Sequence, residues 1–190
     1  QEPGKEKNRG LKTRELRAQY KKDRKAGCAS TTRIAELSAN KIEQAIKMVS
    51  GAIGKGFIPQ YVLADSWFIT DGFIKSIVNL GRKRKGRIDV LGLMKGGRKV
   101  EYQGKIFTTD ILPKIFQSKI KACRRMKCRY LMINVTYKGT PIKLFLVMMN
   151  GQTTWKLLVT TDERLSFVKA LEYYQSRCTA EVFFGEAKQD

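Results

Sequence analysis

Apolar residues along this chain repeat with two different periods, and the change between them divides it. From Thr32 to about Lys55 they recur at Ile34, Leu37, Ile42, Ala45, Ile46, Val49 and Ile53. These are mostly three- and four-residue steps, which bury one stripe of a helix. Gly54, Lys55 and Gly56 supply its end. Pro59 introduces the short β-prone run Tyr61-Val62-Leu63-Ala64, Asp65 follows, and a second helical stripe runs through Phe68, Ile69, Phe73, Ile74, Ile77 and Val78. The order helix, strand, Asp, helix puts Asp65 at the carboxyl end of a buried parallel strand, where open α/β sheets keep their ligand crevices.

After the basic cluster Arg82-Lys83-Arg84-Lys85-Gly86-Arg87 the period shortens. Alternating or β-branched runs cover Ile88 to Leu93, Arg98 to Tyr102, Tyr130 to Tyr137, Ile142 to Met149 and Trp155 to Thr160, with turn residues at Lys138-Gly139 and Asn150-Gly151. Asn150-Gly151 is the strongest hairpin signal, since both residues tolerate positive φ. Residues 88 to 160 therefore predict a mainly antiparallel β region. From Asp162 to Asp190 the pattern is helical again, with Asp162 expected to cap a helix starting near Glu163. Residues 1 to 32 are polar and basic, without a periodic apolar stripe.

Charge narrows the partners. With 38 Lys and Arg against 17 Asp and Glu the formal net charge is +21, and a surface of that sign attracts polyanions, nucleic acid first. Six of the positive charges fall between Lys119 and Arg129, where Arg124, Arg125 and Lys127 stand as phosphate-contact candidates and a solvated face is the plainer reading. No apolar run long enough for a membrane span and no signal-peptide core occur, so the sequence reads as soluble and intracellular. The chain has no histidine, which removes the usual general base and leaves carboxylates, Lys, Tyr or a metal for any hydrolysis. Cys28, Cys123, Cys128 and Cys178 are scattered and read as reduced, structural thiols.

Tyr174, Arg177, Glu181 and Lys188 are spaced at successive steps of three, four and seven, which share one face of a helix. A carboxylate there takes a metal, and Arg and Lys grip phosphate oxygens; a solvated face with ion pairs is the alternative. This Y-x₂-R-x₃-E-x₆-K spacing resembles the Y-R-E-K signature of bacterial insertion-sequence transposases, the DDE enzymes with an RNase H-like catalytic core. YVLADSWF around Asp65 is similar to that family's strand carrying its second catalytic Asp, and LLVTTDERLS with YYQSRCTAEVFFGEAKQ is similar to its C-terminal stretch.

The resemblance covers about residues 30 to 190 and implies an α/β fold: an RNase H-like core lacking its opening strands, with an inserted, mainly antiparallel β subdomain. Residues 1–82 would be part of the core with a basic start, 83–161 the insertion, and 162–190 the helical part carrying the Glu. It also implies an enzyme that cleaves double-stranded DNA at transposon ends and transfers strands to target DNA, using Mg²⁺ or Mn²⁺, as a homodimer in the bacterial cytoplasm at the nucleoid. Asp65 and Glu181 would be two of three metal ligands, with Tyr174, Arg177 and Lys188 on DNA phosphates. The only Asp in residues 1–32 is Asp23, in KKDRK, unsuited to a buried strand. The first Asp is therefore expected upstream of Gln1, both chain ends read as cuts, and the 190-residue piece is expected to be inactive alone. A rival assignment pairs Asp65 with Asp162. Trp67 and Trp155 read as packed core, with base stacking as the functional alternative. Two further classes compete, a catalytically inactive transposase-derived DNA-binding remnant and a basic RNA-associated protein.

Overall fold

The structure is a computed structural model that describes residues 40–83 and 86–186, with side chains through residue 177, and a few positions before residue 32. The chain divides into two compact units, residues 1–44 and 45–190. In the first, the Thr31 hydroxyl donates to the Lys25 carbonyl (3.0 Å) and lies 3.0 Å from the Cys28 thiol, a local turn.

Helix α1 spans Lys41–Gly54. Asn40 begins it, its side-chain oxygen accepting from the Ile42 N–H at 2.9 Å, which satisfies one of the orphan donors of the first turn. Residues 32–39, the expected start of this helix, lie outside the described residues. At the other end Gly56 adopts φ 91°, with Gly56 N–H donating to Ile53 O and Phe57 N–H to Ala52 O. This pair of bonds is a Schellman closure, and it needs a residue free to take positive φ.

Strand β1 is Tyr61–Ala64 and helix α2 is Asp71–Lys83. The sequence placed Phe68 and Ile69 in α2, but Thr70 caps the helix, accepting from Phe73 N–H through its hydroxyl and from Ile74 N–H through its carbonyl. Phe68 and Ile69 belong to the preceding turn. Phe73, Ile74 and Ile77 form the buried face of α2.

The remaining strands are β2 (Asp89–Met94), β3 (Lys99–Tyr102), β4 (Lys105–Thr108), β5 (Lys121–Cys123), β6 (Cys128–Tyr137), β7 (Thr140–Met149) and β8 (Lys156–Thr160). A short helix, α3 (Leu112–Ile115), precedes β5, and α4 (Phe167–Glu186) follows β8. All eight strands form one sheet in the order β1-β2-β8-β7-β6-β3-β4, with β5 also paired to β6. Only β1 and β2 run parallel, so the fold is mixed α/β with a mostly antiparallel sheet. Residues 83–161 contribute seven of these strands, and through β2 their sheet is continuous with β1.

Burial follows position in the sheet. Central β7 is buried at every residue from Ile142 to Met148, whereas β6 alternates, with Leu131, Ile133, Val135 and Tyr137 inside, as a strand does when only one face is covered. Leu91, Phe145, Val147 and Leu158 pack with Leu165, Phe167, Ala170 and Tyr174, so α4 covers one face. Gly92, next to Leu91 and therefore facing the other way, lies against Ile69 of the α2 side. The sheet is thus sandwiched between α2 and α4.

The tight hairpins fall elsewhere than at Asn150-Gly151. Lys138 and Gly139 have φ 46° and 82°, Gln103 and Gly104 have φ 49° and 75°, and each pair joins directly opposed strand residues, Tyr137 with Thr140 and Tyr102 with Lys105. Two successive positive φ values mark type I′ turns, whose twist matches the strands. At Asn150-Gly151 only Gly151 has positive φ (79°), Gln152 N–H closes the turn onto Met149 O, and β8 starts four residues later. Among the described residues no helix is long and apolar enough to cross a membrane.

Candidate functional site

Strand registers carry Asp65 to a definite end of the sheet. Ala64 pairs with Gly92, Met94 with Leu157, Val147 with Lys156, and Met149 with Cys128. The carboxyl ends of β1, β2 and β7 and the amino ends of β6 and β8 therefore share one side. That side carries Asp65, Lys95, Lys156 and the turn Arg124–Lys127 that enters β6. From β1 to β6 is four inter-strand steps, about 19 Å at about 4.8 Å each.

Asp65 is half-buried, and its Oδ1 accepts the Ser66 N–H at 2.6 Å while its carbonyl accepts the Phe68 N–H at 2.9 Å. The tight turn fixes the side chain at the strand end. Trp67, expected in the core, is 73% exposed, with the Lys95 ammonium 4.5 Å from its ring centroid. The β1–α2 turn sends Ile69 into the core instead, at 1% exposure, and leaves Trp67 on the surface two residues from Asp65. Trp155 is half-buried beside Pro113, Arg129 and Met148, along a shallow cavity of about 290 Å³.

Arg124, Arg125 and Lys127 are all exposed. Their turn is closed by Lys127 N–H donating to Arg124 O, Lys127 sits at φ 47°, and its carbonyl accepts from Asn150 N–H at 2.9 Å. Arg125 forms an ion pair with Glu172 of α4. The basic turn is thereby tied to the helix that carries the other candidates.

In α4, Tyr174 is only 8% exposed and belongs to the core, and the Arg177 guanidinium lies over its ring at 5.2 Å. Glu181 falls inside α4, with its side chain outside the described residues, and Lys188 lies outside them altogether. The helix starts four residues later than expected for a cap at Asp162. Ser166 is the capping residue, accepting from Lys169 N–H and, through its carbonyl, from Ala170 N–H.

Asp162 instead joins a polar network at the opposite end of the sheet. Asp89, 5% exposed, takes Arg87 Nε at 2.6 Å and the Thr161 hydroxyl at 2.7 Å; Arg87 also reaches Asp162 at 3.3 Å, and the Tyr61 hydroxyl donates to Asp162 Oδ2 at 2.5 Å. Burial alone would raise the Asp162 carboxyl, but the Tyr61 hydroxyl, the Arg164 N–H and the Arg87 charge outweigh it and hold it below its ordinary value. Burial and the same bond push the Tyr61 phenol up. The network borders a cavity of about 520 Å³ that also meets Arg82, Glu163 and Arg164. Because Asp162 bonds Tyr61, which is four strand residues or roughly 13 Å from Asp65, the two carboxylates cannot share a metal. Sequence reasoning missed this cluster; the alternation Arg87-Ile88-Asp89 was its one local trace.

Asp65 is a hard oxygen donor with one oxygen anchored by a backbone N–H, a chemistry that suits Mg²⁺. Among the described residues no three of His, Cys, Asp and Glu gather into a metal-holding group. A scan against protein-family models, a search of curated proteins and a search of solved structures each found no match to this chain.

Proposed function

We propose that this chain is part of the catalytic core of a DNA-cutting transposase, with an RNase H-like arrangement around Asp65 and Glu181. The observation that carries the proposal is the common side of the sheet shared by Asp65, Lys95, Lys156 and the turn Arg124–Lys127. A carboxylate at one edge and cations reaching about 19 Å across the same side suit a metal-bound scissile phosphate with flanking phosphates held by Lys and Arg. Two features of the fold support it further. The parallel β1–α2–β2 unit presents Asp65 at the carboxyl end of β1, and among the described residues β1 ends the sheet, an edge that would accept a strand bearing the first Asp.

In this reading Asp65, Glu181 and that first Asp would hold Mg²⁺, which when bound would supply the charge that lowers the pKa of an attacking hydroxyl and offsets negative charge on a leaving oxygen. The chain's own residues do the rest. Ser66 N–H orients the Asp65 carboxylate, and the basic turn grips DNA. Tyr174, buried under Arg177, positions that guanidinium rather than touching DNA itself.

The test uses the parent protein, including the sequence upstream of Gln1, and transposon-end DNA. Strand cleavage should require Mg²⁺ or Mn²⁺ and fall to background in Asp65→Asn and in Glu181→Gln, with duplex affinity retained in metal-free buffer. Cleavage that persists in either variant sinks the proposal.

A further inference from the structure

Cys123 and Cys128 stand directly opposite each other, bracketing the four residues of the basic turn. Opposed residues of antiparallel strands have Cα atoms about 4.5 or 5.5 Å apart, inside the roughly 4.4–6.8 Å span of disulfides. Both thiols are free. Their environments differ in a useful way. Cys128 is 2% exposed, whereas Cys123 is half-exposed and open to a reagent from solvent.

We propose that Cys123 and Cys128 are a redox-active pair that closes to an intrachain disulfide when met by a small-molecule disulfide such as glutathione disulfide. The Cys123 thiolate attacks one sulfur of the reagent, breaking its S–S bond and releasing the first glutathione thiolate. The Cys128 thiolate then attacks Cys123 sulfur in the mixed disulfide and releases the second. Two protein thiols are oxidised, one glutathione disulfide is reduced to two thiols, and the two protons lost by the cysteines end on the glutathiones. Burial, and then the neighbouring thiol, push Cys128 up, so accessible Cys123 reacts first and Cys128 resolves.

The bond has a structural consequence. Opposed Cβ atoms sit about 4.5–5.5 Å apart in a hairpin, and a disulfide holds them at about 3.5–4.5 Å, so the hairpin base must tighten by about 1 Å. Above that base the turn is already fixed by the Asn150–Lys127 bond and the Arg125–Glu172 ion pair. Oxidation would therefore act at the base of the turn that carries Arg124, Arg125 and Lys127. This holds whether or not the chain cuts DNA.

The experiment treats the folded 190-residue protein with glutathione disulfide, then counts alkylatable thiols and measures intact mass without reductant. The expected result is a mass lower by two hydrogen atoms, two fewer labelled thiols, and restoration of both by dithiothreitol. Cys123→Ser, at a half-exposed site, should lose this reaction, and a Cys28→Ser/Cys178→Ser double variant should keep it. A wild-type protein that only accumulates glutathione adducts, or an internal disulfide that survives Cys123→Ser, overturns the proposal.

Discussion

Asp162 and Tyr61 show how a local reading of a residue can name its type of role and miss its partner. Asp162 does stabilise a turn, accepting from Arg164 N–H at 3.0 Å, but its strongest bond is to Tyr61, 101 positions away. No pattern within a few residues reports such a pairing. By contrast the place of Asp65 at the end of a strand was legible, because the β-prone run Tyr61–Ala64 that precedes it is a local signal, although α2 begins only at Asp71. Tyr61→Phe and Asp162→Asn should each lower the unfolding free energy by roughly 1–2 kcal/mol at neutral pH, the scale of a partly exposed hydrogen bond to a charged group. The pH dependence follows from the direction of the shift. A carboxyl held below its unfolded value contributes its stability fully above about pH 4, the ordinary Asp value, and loses it as pH falls through the folded value. Urea unfolding at pH 7 and pH 3 should therefore show the gap between wild type and Asp162→Asn shrinking in acid. An unchanged gap would remove Asp162 from the acid response.

At the scale of elements, most strands were legible, down to the four residues of β1 and β3, and β4 and β5 were not. Strands β6, β7 and β8 carry enough β-branched and aromatic residues to announce themselves, while β4 and β5, of four and three residues, sit in polar sequence and exist because β3 and β6 give them ladder partners. Both turn dipeptides join antiparallel partners, β6 with β7 and β7 with β8, but their tightness was not legible. Asn-Gly is the better turn dipeptide in isolation, yet Lys138-Gly139 forms the tight turn because ten residue pairs of β6 and β7 fix its geometry. The closest packing between elements lies at Gly92, where an added Cβ would press on the Ala64 carbonyl and come 2.7 Å from Ile69 Cδ1. Gly92→Ala should cost about 1–3 kcal/mol, as overpacking does, and the backbone oxygen cannot rotate away. Thermal unfolding checks the cost. Because Ala64 immediately precedes Asp65, a metal-dependent activity should fall in the same variant even at temperatures where it remains folded.

For the molecule as a whole, a net charge of +21 favours polyanions without saying where one would bind. The register of the sheet does the sorting. Arg124 and Lys127 lie on the Asp65 side, whereas Arg164 lies at the opposite end beside Asp162. If DNA lies along the first side, Arg124→Ala and Lys127→Ala should each reduce the slope of log affinity against log salt by about 0.9, one phosphate's worth. Arg164→Ala should leave it unchanged, and Arg125→Ala should act less because Glu172 already neutralises that charge. Equal effects at both ends would mean that charge is read without orientation. The α/β class was visible from the two apolar periods; the continuity of one sheet from β1 to β4 was not, since it depends on the β2–β8 pairing between segments more than sixty residues apart.

The open edge of β1 has a consequence for motion. Paired among the described residues with β2 alone, a strand of four residues is expected to open at a fraction of the free energy needed to unfold the whole. Amide exchange in β1, just before Asp65, should therefore be faster than in central β7, and a strand added along that edge would slow it. On the reading of Asp65 as a metal ligand, pairing along that edge would also still its carboxylate, so that strand addition would itself act as a switch for the chemistry proposed there.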